Sequence, residues 1–190
     1  AILLFTVLPT VLVGGLGKVV TLTRWPRVIL EAVLKVAIFL SYMVAISKMK
    51  EIHRVFEYHG AEHKTIACYE AELELTVENV RKQIRFHPRC GTSFIFLVVL
   101  LSIIIGMFLP WKNLWARFGL QLLMLIPETS IGYELIKLAG RFDNIFTRII
   151  SAPGIWLQHI TTCEPDDPQI EVAIAALKPC IPENKEDDRW

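Results

Sequence analysis

Two histidines, His59 and His63, lie four residues apart in the chain, with Glu62 between them. Residues four apart lie on one face of an α-helix, so the two imidazoles can bind a single metal ion. Glu62 directly precedes the second histidine, and its carboxylate can accept a proton from a metal-bound water as a general base. The order His-x-x-Glu-His is that of the inverzincins, although a five-residue pattern by itself is a weak signal. The pattern predicts a zinc-dependent hydrolytic site on a helix.

Two further elements carry residue types that bind zinc. His87 and Cys90 lie in a turn marked by a proline and a glycine, where the two intervening residues let both side chains reach one ion. Joined to the first pair, they give a His3Cys set, which is a closed tetrahedral site and therefore structural. Alternatively, His59 and His63 bind zinc with the acidic Glu134 and leave one position open for water, as hydrolytic sites do. The sequence leaves both ligand sets open.

The same residue types also have simpler roles in proteins. We expect His53 and His159 to be ordinary hydrogen-bonded or surface histidines. The acidic turn 164–167 is more often a helix cap than a ligand cluster. Cys90, activated by His87, could act as a nucleophile, but the sequence provides no third residue to orient the histidine. A plain hydrogen-bond network at the motifs is therefore an alternative to a metal site.

The composition indicates a membrane protein. Of the 190 residues, 53% are hydrophobic, and the mean hydropathy is +0.45, which is more apolar than a soluble domain of this size. The net charge of +1 gives no overall field that would attract nucleic acid. The four cysteines lack the paired spacing of a secreted disulfide scaffold, and we expect them to be reduced and to face the cytoplasm.

The apolar blocks predict an all-α, polytopic membrane protein with about four membrane segments, a small cytoplasmic helical domain and a C-terminal amphipathic and helical region. Residues 1–46 hold the N-terminal membrane segments, which we expect to be truncated upstream. The remaining divisions are a cytoplasmic helical domain with both motifs at 47–92, a membrane hairpin at 93–138, and a cytoplasmic region at 139–190. This last region is expected to end in a charged tail at 183–190.

Local patterns predict several element boundaries. Apolar residues at helical spacing predict an amphipathic helix over 140–150 that lies on the membrane. Thr76 marks the start of a short helix. Asp167 is expected to cap a helix over 169–177, because the proline that follows it suits the first helical turn. Trp111 is expected to anchor the end of a membrane segment at the interface.

Charged residues inside predicted membrane segments are costly, and they usually face partners or cavities. Glu31 and Lys35 are four residues apart near the start of a segment at 28–46. They are expected to form a helix-end pair whose charged groups reach the interface, with a role for Glu31 inside a helix bundle as the alternative. Glu128 is expected to be buried, whereas Glu134 lies either in a site or at the membrane edge.

Lysine and arginine residues set the predicted orientation in the membrane. The segment 47–92 carries eight of them, which is more than the loops on the opposite side carry. The positive-inside rule therefore places this segment and the C-terminal region in the cytoplasm.

Four separated motifs resemble those of a known family. They read Tyr-His-Gly-Ala-Glu-His-Lys-Thr at 58–65, His-Pro-Arg-Cys-Gly-Thr-Ser-Phe at 87–94, Tyr-Glu at 133–134 and Thr-Thr-Cys-Glu-Pro-Asp-Asp at 161–167. They are similar to the YqhQ-like family of bacterial membrane proteins, whose members are commonly labelled as a domain of unknown function or as a predicted metal-dependent enzyme. The resemblance covers nearly the whole chain. It implies a bacterial inner-membrane protein but no established reaction.

The residues favour a metal-dependent, zinc-binding hydrolase at the membrane, with Glu62 as the catalytic base and a peptide or lipid-linked substrate. The alternative is a non-catalytic accessory or assembly partner of membrane proteins, with a structural metal or a hydrogen-bonded cluster at the motifs. An ion-coupled transporter is a weaker hypothesis, because about four segments are too few to enclose a pathway in one chain. The expected partners are the lipid bilayer and either a membrane-protein partner or a second copy of the chain, and nucleic acid is not expected.

Overall fold

The computed structural model describes residues 3–21, 23–110, 113–142 and 144–182. Every regular element within these ranges is helical, which confirms the all-α prediction. The α-helices of the described ranges are α1 (Leu8–Val19), α2 (Arg24–Ser47), α3 (Lys50–Glu70), α4 (Val77–Arg81), α5 (Gly91–Phe108), α6 (Leu114–Arg141), α7 (Ile145–Thr161) and α8 (Asp167–Leu177). A π-helical turn, Leu3–Val7, precedes α1, and a 3-10 turn, Lys178–Cys180, follows α8. The predicted charged tail, 183–190, and the predicted anchor, Trp111, lie outside the described residues.

Two of the helices are long and apolar enough to cross a membrane. They are α2, with 24 residues, and α5, with 18 residues. In each helix only 17% of the most apolar stretch is buried by the rest of the chain, so most of that stretch is half-buried or exposed. Apolar side chains that the chain itself leaves partly uncovered over such a length are typical of a helix that contacts lipid. Among the described residues, two helices are therefore able to span a membrane by length and composition.

The chain forms two compact units. The first, which we call the apolar unit, comprises residues 1–43 and 95–134. The second, which we call the motif unit, comprises residues 44–94 and 135–190 and contains both the histidine motif and the Cys90 turn. Helices α3, α4, α7 and α8 lie wholly in the motif unit.

A buried ion pair lies inside the apolar unit. Arg117 of α6 donates hydrogen bonds of 2.6 and 3.1 Å to the Glu31 carboxylate of α2, and both side chains are at most 3% exposed. The other Glu31 oxygen accepts hydrogen bonds from Thr10 at 2.8 Å and from Gln121 at 2.7 Å. The predicted helix-end pair of Glu31 with Lys35 is wrong, because both residues are buried and the Glu31 carboxylate is bound by Arg117.

Replacing Arg117 with leucine is expected to destabilise the protein by about 3 to 5 kcal/mol, because Glu31 would stay buried without its partner. Thermal unfolding of the detergent-solubilised protein, followed by circular dichroism, measures this loss. Arg24→Leu is the matched control: Arg24 belongs to the same unit and its hydrogen bonds are exposed, so a change of about 0.5 kcal/mol or less is expected. Equal losses of stability in the two variants would contradict the role of the buried pair.

The core of the motif unit lies between α3, α4 and α8. Ala61 and Cys68 of α3 pack with Val80 of α4 and with Ile170 and Ile174 of α8, and all five are buried. Ala61 and Cys68 are seven residues apart, close to two helical turns, so they lie on one face of α3. This apolar face fixes the rotation of α3 about its axis, and with it the direction in which the histidine motif points.

Side-chain caps were predicted at the start of two helices, α4 and α8. Thr76 caps α4 as predicted, since its hydroxyl accepts a hydrogen bond from the Asn79 N–H. The predicted cap of α8 is wrong by one residue, because Asp166 and not Asp167 occupies the N-cap position. Asp166 and Gln169 exchange side-chain to backbone hydrogen bonds of 2.9 Å, which is a capping box. Because only Asp166 forms this capping box with Gln169, it and not Asp167 is the N-cap of α8.

The bounds predicted for the amphipathic helix, 140–150, are also wrong. Residues 140 and 141 end α6, and α7 begins only at Ile145. Asn144 caps α7 through a capping box with Thr147, which fixes the start of the helix. The helix then continues through Pro153 to Thr161 instead of stopping before the proline. Packing along the rest of α7 thus overrides the local tendency of proline to end a helix.

Candidate metal centre

Three of the predicted ligands converge in the motif unit. His59 and His63 lie on consecutive turns of α3, and Cys90 ends the turn that precedes α5. One candidate ligand atom from each residue lies within 4.8 Å of the other two. Cys90 Sγ is 3.2 Å from His59 Nε2, and the centroids of the two imidazoles are 4.4 Å apart. His63 and Cys90 are buried and His59 is half-buried, so the cluster is largely shielded from solvent.

Backbone carbonyls fix the orientation of both imidazoles. His59 Nδ1 lies 2.8 Å from the carbonyl oxygen of Thr161, and His63 Nδ1 lies 2.6 Å from that of Arg85. A carbonyl oxygen only accepts hydrogen bonds, so each Nδ1 carries a proton, and the second ring nitrogen, Nε2, either donates its proton to the Cys90 sulfur or, once that proton is lost, offers its lone pair to a metal. Histidines that bind metals are typically held in this way. The two Nε2 atoms are therefore the donor atoms that these rings offer beside Cys90.

The surroundings of Cys90 favour its thiolate. Burial raises the pKa of the thiol, but hydrogen bonds with His59, His63 and Thr92 outweigh burial and lower this pKa from 9.0 to about 5. Burial also lowers the pKa of His59, yet the hydrogen bonds to Cys90 and to the Thr161 carbonyl leave it above its ordinary value. At neutral pH the cluster therefore holds a thiolate, which is the form in which cysteine binds metals.

The donor set fits zinc. Two imidazole nitrogens and one thiolate are ligands that Zn²⁺ prefers, whereas Mg²⁺ and Ca²⁺ prefer oxygen ligands. Three protein ligands leave one position of a tetrahedral site open, as in catalytic zinc sites. The cluster of His59, His63 and Cys90 could therefore hold a metal ion.

His87 faces partners outside this cluster. Its Nε2 lies 3.2 Å from a carboxylate oxygen of Glu70, and its Nδ1 accepts a hydrogen bond of 3.2 Å from the Arg89 backbone N–H. The centroid of the His87 ring is 5.9 Å from that of His63. His87 is therefore a neighbour of the cluster, with both of its ring nitrogens engaged by other groups.

The three glutamates that the sequence singled out, Glu62, Glu134 and Glu128, do not lie together. Glu62 is exposed on α3, three residues after His59, and so lies on the same side of the helix. Glu134 is exposed on α6 and belongs to the apolar unit. Glu128 of the same unit is buried, as predicted, and its Oε2 has no hydrogen-bond partner among the described residues. Glu62 is therefore the candidate acid that shares an element with the cluster.

The acidic turn 164–167 acts as a cap and as an ion-pair element. Besides the cap of α8, it carries Glu164, which pairs with Lys64 at 2.7 Å and with Arg85 at 2.8 Å. Lys64 follows His63 on α3, and the Arg85 carbonyl is the group that binds His63 Nδ1. Glu164 thus holds in place two residues adjacent to a candidate ligand.

Gln158 of α7 is a positioning residue that the sequence patterns do not reveal. Its side chain is fully buried, accepts a hydrogen bond of 2.8 Å from the His87 N–H, and donates to the His87 carbonyl at 2.7 Å. It also donates to the Ser93 hydroxyl at 2.8 Å. These bonds fasten both ends of the turn that carries Cys90 to α7. The sequence feature that could have pointed to this role is a glutamine among the apolar residues of an amphipathic helix.

Gly60 of α3 is a second residue that positions the cluster and that the sequence analysis did not identify. A Cβ atom at this position would lie 2.0 Å from the carbonyl oxygen of Cys163. The Cys163 N–H donates a hydrogen bond of 2.9 Å to the Phe56 carbonyl, so the chain after α7 runs directly against α3. This close approach brings the Thr161 carbonyl within reach of His59. A glycine inside a helix costs about 1 kcal/mol relative to alanine, which is the signal that it has a packing role.

The fold and the site define an all-helical protein with candidate membrane spans and a buried His–His–Cys cluster in a separate unit. The chain belongs to the family described as "Protein of unknown function (DUF1385)", which matches residues 1–183. It is similar to the uncharacterized protein YqhQ of Bacillus subtilis (strain 168), with 38% identity over 174 residues that cover 91% of this chain and 54% of that protein. The chain thus spans about half the length of this curated relative. No solved structure matches the chain.

Proposed function

We propose that the protein is a zinc-dependent hydrolase of the bacterial cell inner membrane. The apolar unit spans the bilayer with about four segments, and the motif unit faces the cytoplasm. The substrate is a peptide or a lipid-linked molecule that reaches the motif unit at the membrane face. The single observation that carries the proposal is the orientation of the two imidazoles, whose Nδ1 atoms bind backbone carbonyls and whose Nε2 atoms lie beside Cys90.

The residues of the cluster have distinct roles in this proposal. His59, His63 and Cys90 hold the ion, and the Thr161 and Arg85 carbonyls keep the two imidazoles in the neutral, metal-binding tautomer. Bound zinc supplies a Lewis acid that activates water at neutral pH. Glu62 accepts the proton on its carboxylate, from an exposed position on the same helix.

A second candidate function is that of a non-catalytic accessory or assembly partner in the membrane. One observation favours it: the polar atoms of the cluster already bind one another. Cys90 Sγ lies 3.2 Å from His59 Nε2 and 3.0 Å from the Thr92 hydroxyl, which in turn lies 3.3 Å from the Thr161 hydroxyl. Such a network can stabilise the packing of α3 against α5 and α7 without a reaction.

Metal analysis of the purified protein is expected to find about one zinc ion per chain, as a single three-ligand cluster requires. Cys90→Ser and His63→Ala are expected to lower the zinc content about tenfold or more, because each removes a ligand. Cys163→Ser is the matched control, because Cys163 lies outside the cluster and should leave the zinc content unchanged. A wild-type protein without zinc, iron or manganese would rule out the proposed hydrolase.

Glu62→Gln separates the two candidate functions in the same preparations. If Glu62 is the base, this variant keeps its zinc and its melting temperature and loses hydrolysis of a panel of lipid esters and membrane peptides by about 100-fold or more. If Glu62→Gln instead behaves as wild type in cells while His63→Ala destabilises the protein, the accessory function is correct.

A further inference from the structure

Cys163 belongs to the fourth sequence motif, at 161–167, but has no role in the proposed hydrolytic function. Its Sγ lies 3.6 Å from His53 Nδ1. His53 and Glu57 are four residues apart on α3, and His53 Nε2 lies 3.5 Å from a Glu57 carboxylate oxygen. A thiol, an imidazole and a carboxylate therefore follow one another in the order of a nucleophile, its base and the group that orients the base.

The two contacts of His53 determine which of its ring nitrogens can take a proton. The Glu57 carboxylate only accepts hydrogen bonds, so Nε2 of the neutral imidazole carries the proton and Nδ1 keeps its lone pair toward the thiol. Burial raises the pKa of the Cys163 thiol above its ordinary value, so the sulfur keeps its proton at neutral pH. Attack by this sulfur therefore requires a base beside it, which is where His53 Nδ1 lies.

Other contacts hold this arrangement in place. The Cys163 N–H donates a hydrogen bond of 2.9 Å to the Phe56 carbonyl, which fastens the chain after α7 to α3. The second Glu57 oxygen accepts a hydrogen bond of 2.8 Å from the buried Gln169 of α8. Gln169 is itself fixed by its capping box with Asp166. The nucleophile and the orienting carboxylate are thus each positioned by a contact with a segment that is distant in the chain.

A cavity of about 530 Å³ lies beside these groups. His53, Glu57 and Gln169 line it, and all of its described lining residues belong to the motif unit. A volume of this size is within the range of sites that enclose a small organic ligand. None of the three residues of the His–His–Cys cluster is part of this lining. A small ester can therefore be bound next to His53, at a place separate from the candidate metal centre.

We propose that Cys163 is the nucleophile of a second site, which takes the acyl group of a small carboxylic ester, with His53 as its base and Glu57 as the residue that positions the base. The Cys163 sulfur forms a bond to the ester carbonyl carbon while His53 Nδ1 takes the thiol proton. The bond between that carbon and the alcohol oxygen then breaks, and His53 gives the proton to the leaving alcohol. Water hydrolyses the resulting thioester, with His53 again as base, which releases the acid and restores the thiol. No metal takes part in these steps.

The test is the reaction of the purified full chain with p-nitrophenyl acetate at neutral pH, with peptide mass spectrometry to locate the acetyl groups. Cys163 is expected to be acetylated about tenfold or more faster than Cys180, which is exposed and whose sulfur donates to the Ala176 carbonyl. His53→Gln is expected to slow the acetylation of Cys163 about 100-fold, because it removes the base. After the ester is removed, the acetyl group should leave Cys163 more slowly in this variant than in the wild type.

Two substitutions test Glu57 as a positioning residue. Glu57→Leu is expected to slow the acetylation of Cys163 about tenfold, because the imidazole loses the group that orients it. Glu57→Gln should recover part of this loss, because its amide oxygen can still accept a hydrogen bond from His53 Nε2. Circular dichroism of both variants checks that the fold is kept.

His159→Gln is the matched control, since it replaces an exposed histidine of the same unit at a position outside the cavity. Three results would overturn the inference: equal acetylation of Cys163 and Cys180, equal rates in His53→Gln and the wild type, or an equal loss of rate in His159→Gln. Removing metals with a chelator is expected to leave the acetylation of Cys163 unchanged, and a loss of rate after chelation would also contradict the inference. A failure of the metal centre and a failure of this second site therefore give different results.

Discussion

Replacing Gly60 with alanine is expected to destabilise the protein by about 3 kcal/mol or more and to lower its zinc content about tenfold. The added Cβ would lie 2.0 Å from the Cys163 carbonyl oxygen, and a backbone atom cannot rotate away as a side chain can. The chain after α7 must therefore move away from α3. That movement breaks the Cys163 to Phe56 hydrogen bond and the contact between the Thr161 carbonyl and His59.

Thermal unfolding and metal analysis of one preparation measure both effects. Alanine is the better helix former by about 1 kcal/mol, so a loss of stability in Gly60→Ala reports the contact and not the propensity. Gly119→Ala is the matched control within a helix: a Cβ atom there has no described atom within 4 Å. It is expected to leave stability unchanged or to raise it by up to about 1 kcal/mol. A Gly60→Ala protein that melts like wild type and keeps its zinc would show that the chain does not approach α3 in this way.

In metal-free protein, Cys90 is expected to react with a small thiol reagent at a rate that is half-maximal near pH 5 and constant above pH 7. The thiolate is the reactive form, and hydrogen bonds with the two imidazoles and Thr92 outweigh burial to lower the pKa of Cys90 to about 5. The thiolate is thus present above this pKa and is lost as the pH falls through it. Burial raises the pKa of Cys163, so the half-maximal pH of its reaction should lie above that of an ordinary thiol and far above that of Cys90.

Residue-resolved mass spectrometry after treatment with methyl methanethiosulfonate follows each cysteine separately. His59→Gln is expected to move the half-maximal pH of Cys90 upward by about 1 or more, because it removes the nearest imidazole. His159→Gln is the control, since His159 is exposed and its Nδ1 lies 3.0 Å from the Trp156 carbonyl. Zinc added to the metal-free wild type should slow the reaction of Cys90 about 100-fold or more, because the ion and the reagent compete for one sulfur.

Two outcomes would count against the cluster. A half-maximal pH near the ordinary thiol value of 9.0 for Cys90 in the wild type would contradict the contact between the thiol and the imidazoles. A reaction rate that zinc does not change would contradict the metal centre while leaving that contact intact.

The local part of the site could be predicted because helix geometry alone determines it. His59 and His63 are four residues apart, so any helix through this stretch places them on one face. The cap at Thr76 was predictable for the same reason, since it involves neighbouring residues. Where two adjacent residues compete for one role, the local pattern is insufficient: Asp166 rather than Asp167 caps α8, because it forms the capping box with Gln169.

Partners that are distant in the chain could not be predicted. The sequence grouped His87 with Cys90 because they are three residues apart, yet in the folded turn His87 faces Glu70 while Cys90 faces His59. Glu31 was expected to pair with Lys35, and it is bound by Arg117, 86 residues further along. Such pairs depend on which helix faces which, and no periodicity in the sequence encodes that relation.

The sequence by itself determined the helical class, the apolar helices, the residue types that can bind a metal and the family to which the chain belongs. These properties follow from composition and from contacts within a few residues. Only the tertiary structure decided that His59, His63 and Cys90 form the cluster, and that carbonyls of Thr161 and Arg85 orient the rings. The physical reason is that these contacts require separate segments to pack closely, as the absence of a side chain at Gly60 allows.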